Sequence, residues 1–316
     1  MRPCRKDLRA ARFILLGLLS VAGSASALEL KPGQSPPKRL YSNGDSIMRA
    51  VDAFFPFDNL NLSWVNGYHG FWQRLAHIPN VNAHNQRISE KFGKRSRKNW
   101  IAAQNGARME HFKDQAAEAA GKNVTYATVM LGGNDVCRSN VSDLPDEETV
   151  GDKIGFRDDF REGLDELLSH LPKGATVYVA GIPDVPRLYD IGKDKELLGI
   201  VNCPFVWDLT KLCGSVLSSR STGADREFVR ERITGMKSNG NSSDFFEGYN
   251  RIMEQITMTA DALNPEKFLY FTDASFTIDF QLEHISDLDC FHPSWEGQRE
   301  LSRVTWEDSN GPNFGN

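Results

Sequence analysis

The chain has 316 residues, 40% of them hydrophobic and 25% charged, with a formal net charge of −5. That balance supports a folded core and excludes a disordered chain. An acidic chain without a basic cluster also excludes nucleic acid and anionic membrane as main partners.

At the N-terminus, Arg2, Arg5, Lys6, Arg9 and Arg12 precede the apolar run Phe13 to Leu19 and the small residues Ala25-Ser26-Ala27. This is the layout of a secretory signal peptide, with cleavage predicted after Ala27 and a secreted or periplasmic destination. The apolar run is far shorter than the ~20 residues a membrane span needs. No lipobox cysteine follows it, and no later segment is apolar enough to span. Loss of residues 1–27 removes five basic residues and one acid, which moves the formal charge from −5 to −9. Cys4 leaves with the signal, so Cys137, Cys203, Cys213 and Cys290 remain. An even count in an exported chain reads as two disulfides, with three possible pairings. No C-x-x-C or His-rich spacing suggests a metal site, and no cofactor is expected.

Residues 28–38, with Pro32, Gly33, Pro36 and Pro37, read as an irregular lead-in. A single domain is expected over 39–309, with 310–316 as a tail. Arg39 to Asn43 reads as a strand that enters the turn Gly44-Asp45-Ser46, and a helix is expected from there through Phe55. Pro56 to Gly70 reads as a long surface loop, and Arg108 to Ala120 as a helix with Met109 and Phe112 on one side. Val124 to Leu131 is a continuous apolar, β-rich run ended by Gly132-Gly133, as a buried parallel strand requires. Phe156, Phe160, Leu164, Leu167 and Leu168 recur at helical spacing within Gly155 to Leu171. Ala175 to Gly181 is a further buried strand, and residues 183–222 read as irregular. Ala224 to Leu263 is largely helical, broken by a turn at Gly240-Asn241-Ser242-Ser243, and Lys267 to Phe271 is a last strand. The alternation predicts an α/β fold: a three-layer α/β/α sandwich around a central parallel sheet.

In such a sheet the functional groups gather on loops at the carboxyl ends of the strands. Three pointed sequences fall there: Gly44-Asp45-Ser46, Gly132-Gly133-Asn134-Asp135 and Asp289-Cys-Phe-His292-Pro293. A serine hydroxyl becomes a useful nucleophile only when a positioned base takes its proton and an acceptor fixes the base's tautomer. Asp289 and His292, three residues apart on a loop entering a helix at Ser294-Trp295-Glu296, can supply both parts. A lone D-x-x-H or G-D-S is usually a surface or packing feature. Their occurrence together, in this order and with the asparagine block between them, points to nucleophilic acyl chemistry.

These blocks resemble those of the SGNH (GDSL-like) hydrolases, from the first strand to the last helix. By that resemblance Ser46 is the nucleophile and Asp289 and His292 its partners. The stretch Gln104-Asn105-Gly106-Ala107 is similar to the family's glycine block, and the implied oxyanion donors are the Ser46 N–H, the Gly106 N–H and the Asn134 side chain. The segments Leu62 to Gly67, Val81 to Ile88 and Gly132 to Cys137 are similar to secreted bacterial members and, more distantly, to the phospholipase-B-like branch. Ile47 stands where the G-D-S-L name has leucine, a packing position. No G-x-S-x-G pentapeptide surrounds Ser46, which separates the chain from α/β-hydrolases. The resemblance also implies disulfides Cys137 with Cys213 and Cys203 with Cys290, while the local pair Cys203 with Cys213 is feasible from the sequence.

Other residues carry weaker signals. His69, His77, His84 and His111 read as packing or surface histidines. Trp64, Tyr68, Phe71 and Trp72 read equally as an apolar acyl pocket or as core and lid packing. Asn61, Asn123, Asn140 and Asn241 lie in N-x-S/T sequons, which matter only in a glycosylating host. The expected function is hydrolysis of a small-molecule or lipid carboxylic ester through an acyl-enzyme. The alternatives are an acyltransferase or phospholipase with the same triad, or a non-catalytic binding protein on the same scaffold.

Overall fold

The computed structural model describes residues 30–93, 98–197, 200–235, 246–312 and 314. The predicted signal peptide and the turn at Gly240 to Ser243 lie outside the described residues.

Five strands form one parallel sheet: β1 (Arg39–Gly44), β2 (Lys98–Ile101), β3 (Tyr126–Met130), β4 (Thr176–Ala180) and, last in the chain, β7 (Phe268–Thr272), in the order β2-β1-β3-β4-β7. Two-residue strands β5 (Glu196–Leu197) and β6 (Val201–Asn202) pair antiparallel outside it. The helices are α1 (Phe71–Leu75), α2 (His84–Phe92), α3 (Phe112–Ala117), α4 (Gly133–Val136), α5 (Phe156–His170), α6 (Val185–Gly192), α7 (Cys203–Thr210), α8 (Gly223–Thr234), α9 (Tyr249–Leu263) and α10 (Trp295–Glu307). This is the expected α/β sandwich. No helix among the described residues is long and apolar enough to cross a membrane.

Side chains alternate across the sheet with the period of two that a pleated strand imposes. Tyr41, Ala127, Val129, Val177 and Val179 face Phe112, Phe160, Leu164, Val229 and Ile252 of α3, α5, α8 and α9. On the other face Leu40, Tyr126 and Tyr178 meet Ile88 of α2, while Met130 and Ala180 meet Met48, Trp64 and Leu301 of α10. Phe314 is buried against the same layer. Neighbours β1 and β3 leave the sheet in opposite directions, to β2 and to β4, so their carboxyl ends open a crevice where a ligand can sit.

Three expectations are corrected. No helix follows Ser46. The chain closes a series of turns instead, with Ala50 at φ 50° and Asp52 at φ 52° in the left-handed region. Local and tertiary bonds outbid the helix there: Asp45 Oδ1 accepts the Ile47 N–H at 2.9 Å, and Trp295 N–H donates to Ala53 O at 2.9 Å. Second, residues 183–222 are not irregular throughout but contain α6, the β5–β6 pair and α7. Both helices are capped by side chains, Asp184 accepting from Arg187 N and Asn202 from Phe205 N, with a proline in the first turn of each. Third, the predicted Arg108 to Ala120 helix is a 3₁₀ turn followed by the short α3. The edge strand β2 had no counterpart in the sequence reading.

Candidate active site

Ser46 sits just beyond the end of β1, and two features of the sequence fix that turn. Gly44 has no room for a side chain, since a Cβ there would lie 2.8 Å from Met48 Cβ. Asp45 is buried, its Oδ1 taken by the Ile47 N–H and its Oδ2 facing Asn134 Nδ2 at 3.3 Å. Burial pushes the Asp45 carboxyl up to about 6, against the Ile47 N–H and the nearby His292, which pull it down.

His292 arrives from the other end of the chain. Asp289 Oδ1 accepts the backbone N–H groups of Phe291 at 2.9 Å and His292 at 3.1 Å, which curls the loop into an Asx turn. The same turn brings Asp289 Oδ2 onto His292 Nδ1, leaving Nε2 to face Ser46 Oγ at 2.8 Å. Burial raises the Asp289 carboxyl, but the bond from His292 and the two backbone N–H groups outweigh it and hold the group below its ordinary range. With its Nδ1–H donating to Asp289, the ring can accept the Ser46 hydroxyl proton at Nε2.

Cys290, between the two, stands at φ 60°, a backbone conformation that costs a non-glycine residue on the order of 1 kcal/mol. The disulfide Cys203–Cys290 ties it to the first residue of α7, and Trp207 Nε1 donates to its carbonyl at 2.9 Å. A second disulfide, Cys137–Cys213, ties the residue after α4 to the segment beyond α7. The region that sequence reading left irregular is thus the brace of the acid–base loop.

Asn134 lies in the first turn of α4. Its side-chain nitrogen donates to Ala107 O at 2.9 Å and, less closely, to Asp45 Oδ2 at 3.3 Å. Gly106, next to Ala107, is exposed with φ 76°, which glycine alone adopts freely. Ser46, Asn134 and His292 line one cleft, and Gly106 is not among its lining residues.

The rest of that cleft is apolar: Val185, Leu188 and Ile191 along one face of α6, opposite Phe280, Ile285 and Phe291. Of the two roles read for Trp64, Tyr68, Phe71 and Trp72, that of an acyl pocket is not seen in this cleft. Trp64 is fully buried beneath Met48, whereas Tyr68, Phe71 and Trp72 are exposed, the last by 72%, and none lines the cleft. His84 is a core residue, held between Tyr126 Oη at 3.0 Å and Thr305 Oγ1 at 2.9 Å. His69 bonds the Ile78 carbonyl and His111 the Arg108 N–H, while His284, not singled out from the sequence, lines the cleft.

Asp52, Asp289 and His292 each bring one ligand-type atom within 4.8 Å of the others, the spacing of a possible cation site. Both ring nitrogens of His292 are engaged, however, by Asp289 and by Ser46. A cation there would have to break one of those bonds.

Residues 43–304 match the model of the family described as GDSL-like Lipase/Acylhydrolase. No curated protein gives a significant sequence match. Among solved structures, an extracellular lipase from Streptomyces rimosus is 14% identical over 84% of this chain and 97% of its own, with a TM-score of 0.42. Phospholipase A1 from Streptomyces albidoflavus NA297 is 11% identical over 85% of this chain and 98% of its own, also with a TM-score of 0.42.

Proposed function

The chain belongs to the GDSL-like lipase/acylhydrolase family, and we propose that it cleaves carboxylic esters of apolar acyl groups with Ser46 as nucleophile, His292 as general base and Asp289 as its orienting carboxylate. The observation that carries this reading is the continuous relay from Ser46 Oγ, 2.8 Å from His292 Nε2, through the ring to Asp289.

As Ser46 Oγ attacks the carbonyl carbon, its proton passes to His292 Nε2, and Asp289 stabilises the imidazolium that results. Charge moves to the carbonyl oxygen. The Ser46 N–H and Asn134 Nδ2, both at the cleft, are its proposed donors, with the Gly106 N–H added by the family resemblance alone, and the long Asn134–Asp45 contact is the one most readily exchanged for the oxyanion. The imidazolium returns its proton to the departing alcohol, leaving an acyl group on Ser46. Water, deprotonated by the same ring, then releases the acid. The acyl chain lies along Val185, Leu188 and Ile191, where burial of each methylene favours binding by ~0.8 kcal/mol.

Residues 1–27 are read as an export signal, and the two disulfides suit the oxidising compartment this implies. The test of the whole reading is Ser46→Ala, assayed on p-nitrophenyl esters of rising chain length and by fluorophosphonate labelling. Loss of both with an unchanged melting temperature is expected. Turnover near the wild-type rate would remove Ser46 as the nucleophile.

A further inference from the structure

We infer that Asp52 is a positioning residue for the triad: its carboxyl lies beside Asp289 and His292, and its charge sets how firmly Asp289 holds the imidazolium of His292. The inference rests on the triad proposed above.

Asp52 is locked in place before it meets the site. Its N–H donates to Phe57 O at 2.8 Å, its Oδ1 accepts the Phe57 N–H at 2.6 Å, and its carbonyl accepts Ser286 Oγ–H at 2.5 Å. Ser286 in turn donates its N–H to His292 O at 2.8 Å, so the turn that carries Asp52 is fastened to the loop that carries the base. From this position the carboxyl comes within 4.8 Å of donor and acceptor atoms of both Asp289 and His292.

Two carboxylates at that separation do not both ionise easily, and the one with fewer donors takes the proton first. Asp289 has two backbone N–H groups and the ring. Among the described residues, the Phe57 N–H is the one donor bonded to the Asp52 carboxylate. Burial, and then the Asp289 charge, push the Asp52 carboxyl up, against the pull of the Phe57 N–H. The charged groups facing Asp52 are Asp289 and His292. Arg49 and Asp58 of the same loop pair with each other, Lys195 pairs with Asp287, and Asp45 faces His292 from the end of β1. A protonated Asp52 can therefore donate to an Asp289 oxygen, which weakens the hold of Asp289 on the imidazolium. An ionised Asp52 adds a second negative charge beside the ring and strengthens it.

Asp52→Asn separates this role from turn formation. Asparagine tolerates the left-handed backbone and keeps an oxygen for the Phe57 N–H, while its amide mimics a permanently protonated Asp52 toward Asp289. The imidazolium is then less favoured, so the acid limb of kcat/KM is expected to move to lower pH by roughly half a unit or more, and the plateau kcat to fall about three- to tenfold. In a Ser46→Ala background, the low-field proton resonance of His292 Nδ1–H is expected to move upfield when Asp52→Asn is added. A pH profile and resonance identical to those of the parent overturn the inference. So does a lower kcat accompanied only by a lower melting temperature, with the limb and the resonance unmoved, because that is the signature of a turn residue. Residual activity in Ser46→Ala would instead sink the triad reading, and the two failures are distinguishable.

Discussion

Gln115 grips Gly44 on both sides of its residue, its Oε1 accepting the Gly44 N–H at 2.7 Å and its Nε2 donating to the Gly44 carbonyl at 2.9 Å. The clamp comes from α3 and is fully buried. Gln115→Leu strands the Gly44 N–H, and an orphaned buried group costs ~1 to 3 kcal/mol. The melting temperature should drop by several degrees, and kcat with it, since the end of β1 then no longer fixes Ser46. Differential scanning calorimetry beside steady-state kinetics checks this.

Asn134 is expected to act when charge reaches the carbonyl oxygen, not before. Asn134→Ala should then reduce kcat by on the order of a hundred- to a thousandfold while leaving KM nearly unchanged. Its bond to Ala107 O predicts a modest loss of stability as well. A folded variant with kcat within about threefold of wild type would restrict Asn134 to that structural bond.

The proposed acyl cleft makes a length-dependent prediction. Leu188 projects from the middle of α6 into its apolar wall. Leu188→Trp should fill the cleft, lowering kcat/KM at least about tenfold for p-nitrophenyl decanoate and little for the acetate. An equal effect on both esters would place the acyl chain elsewhere.

Removing the disulfide Cys203–Cys290 by the double change to serine should harm activity more than folding. Loss of such a bridge commonly costs ~2 to 5 kcal/mol, but here it also releases the left-handed Cys290 between Asp289 and His292. Reduced kcat in protein that still shows a cooperative melt is the expected result. The matching change at Cys137–Cys213 should act on stability with a smaller effect on kcat.

His84 predicts an acid-sensitive core. Burial, with a smaller contribution from Arg87, pushes its pKa down to about 3. A depressed histidine stabilises the fold at pH above its unfolded value of ~6.5, and that contribution is lost as pH falls from there towards about 3. Burial raises Asp45, Asp135 and Asp159 to about 6, and these favour the fold in acid, so the net slope is muted. The comparison must therefore be differential. Replacement of His84 by glutamine should lower the melting temperature at pH 7.5 and lower it by less at pH 4.5. Equal losses at both values would show that His84 does not titrate with unfolding.

The strands β3 and β4 were legible because buried parallel strands read as unbroken apolar runs, and the motif residues because their spacing carries chemistry. Strand β2 was not, since Lys98-Asn-Trp-Ile101 is a half-exposed edge without such a run. The helix expected after Ser46 failed for a different reason. Its sequence permits a helix, but bonds to Phe57 and Trp295 decide the backbone, and Trp295 is brought there only by the fold. The same holds for the supporting polar residues. Gln115 reaches a residue 71 positions away and Gln298 donates to Ile47 O across 251, so neither leaves a local pattern. The capped starts of α6 and α7, Asp184 with Pro186 and Asn202 with Pro204, were present as local signals and mark where a helix-start reading would have succeeded.

The bond between Ser46 and His292 spans 246 residues. The two residues proposed as nucleophile and base are held together by the docking of α10, through Gln298 on Ile47 and Trp295 on Ala53. On the proposed triad, Ser46 has no base until the last segment of the chain is in place. On the same triad, detachment of the C-terminal segment alone would silence the site, so esterase activity is expected to be a more sensitive gauge of that docking than the spectroscopic signal of the sheet.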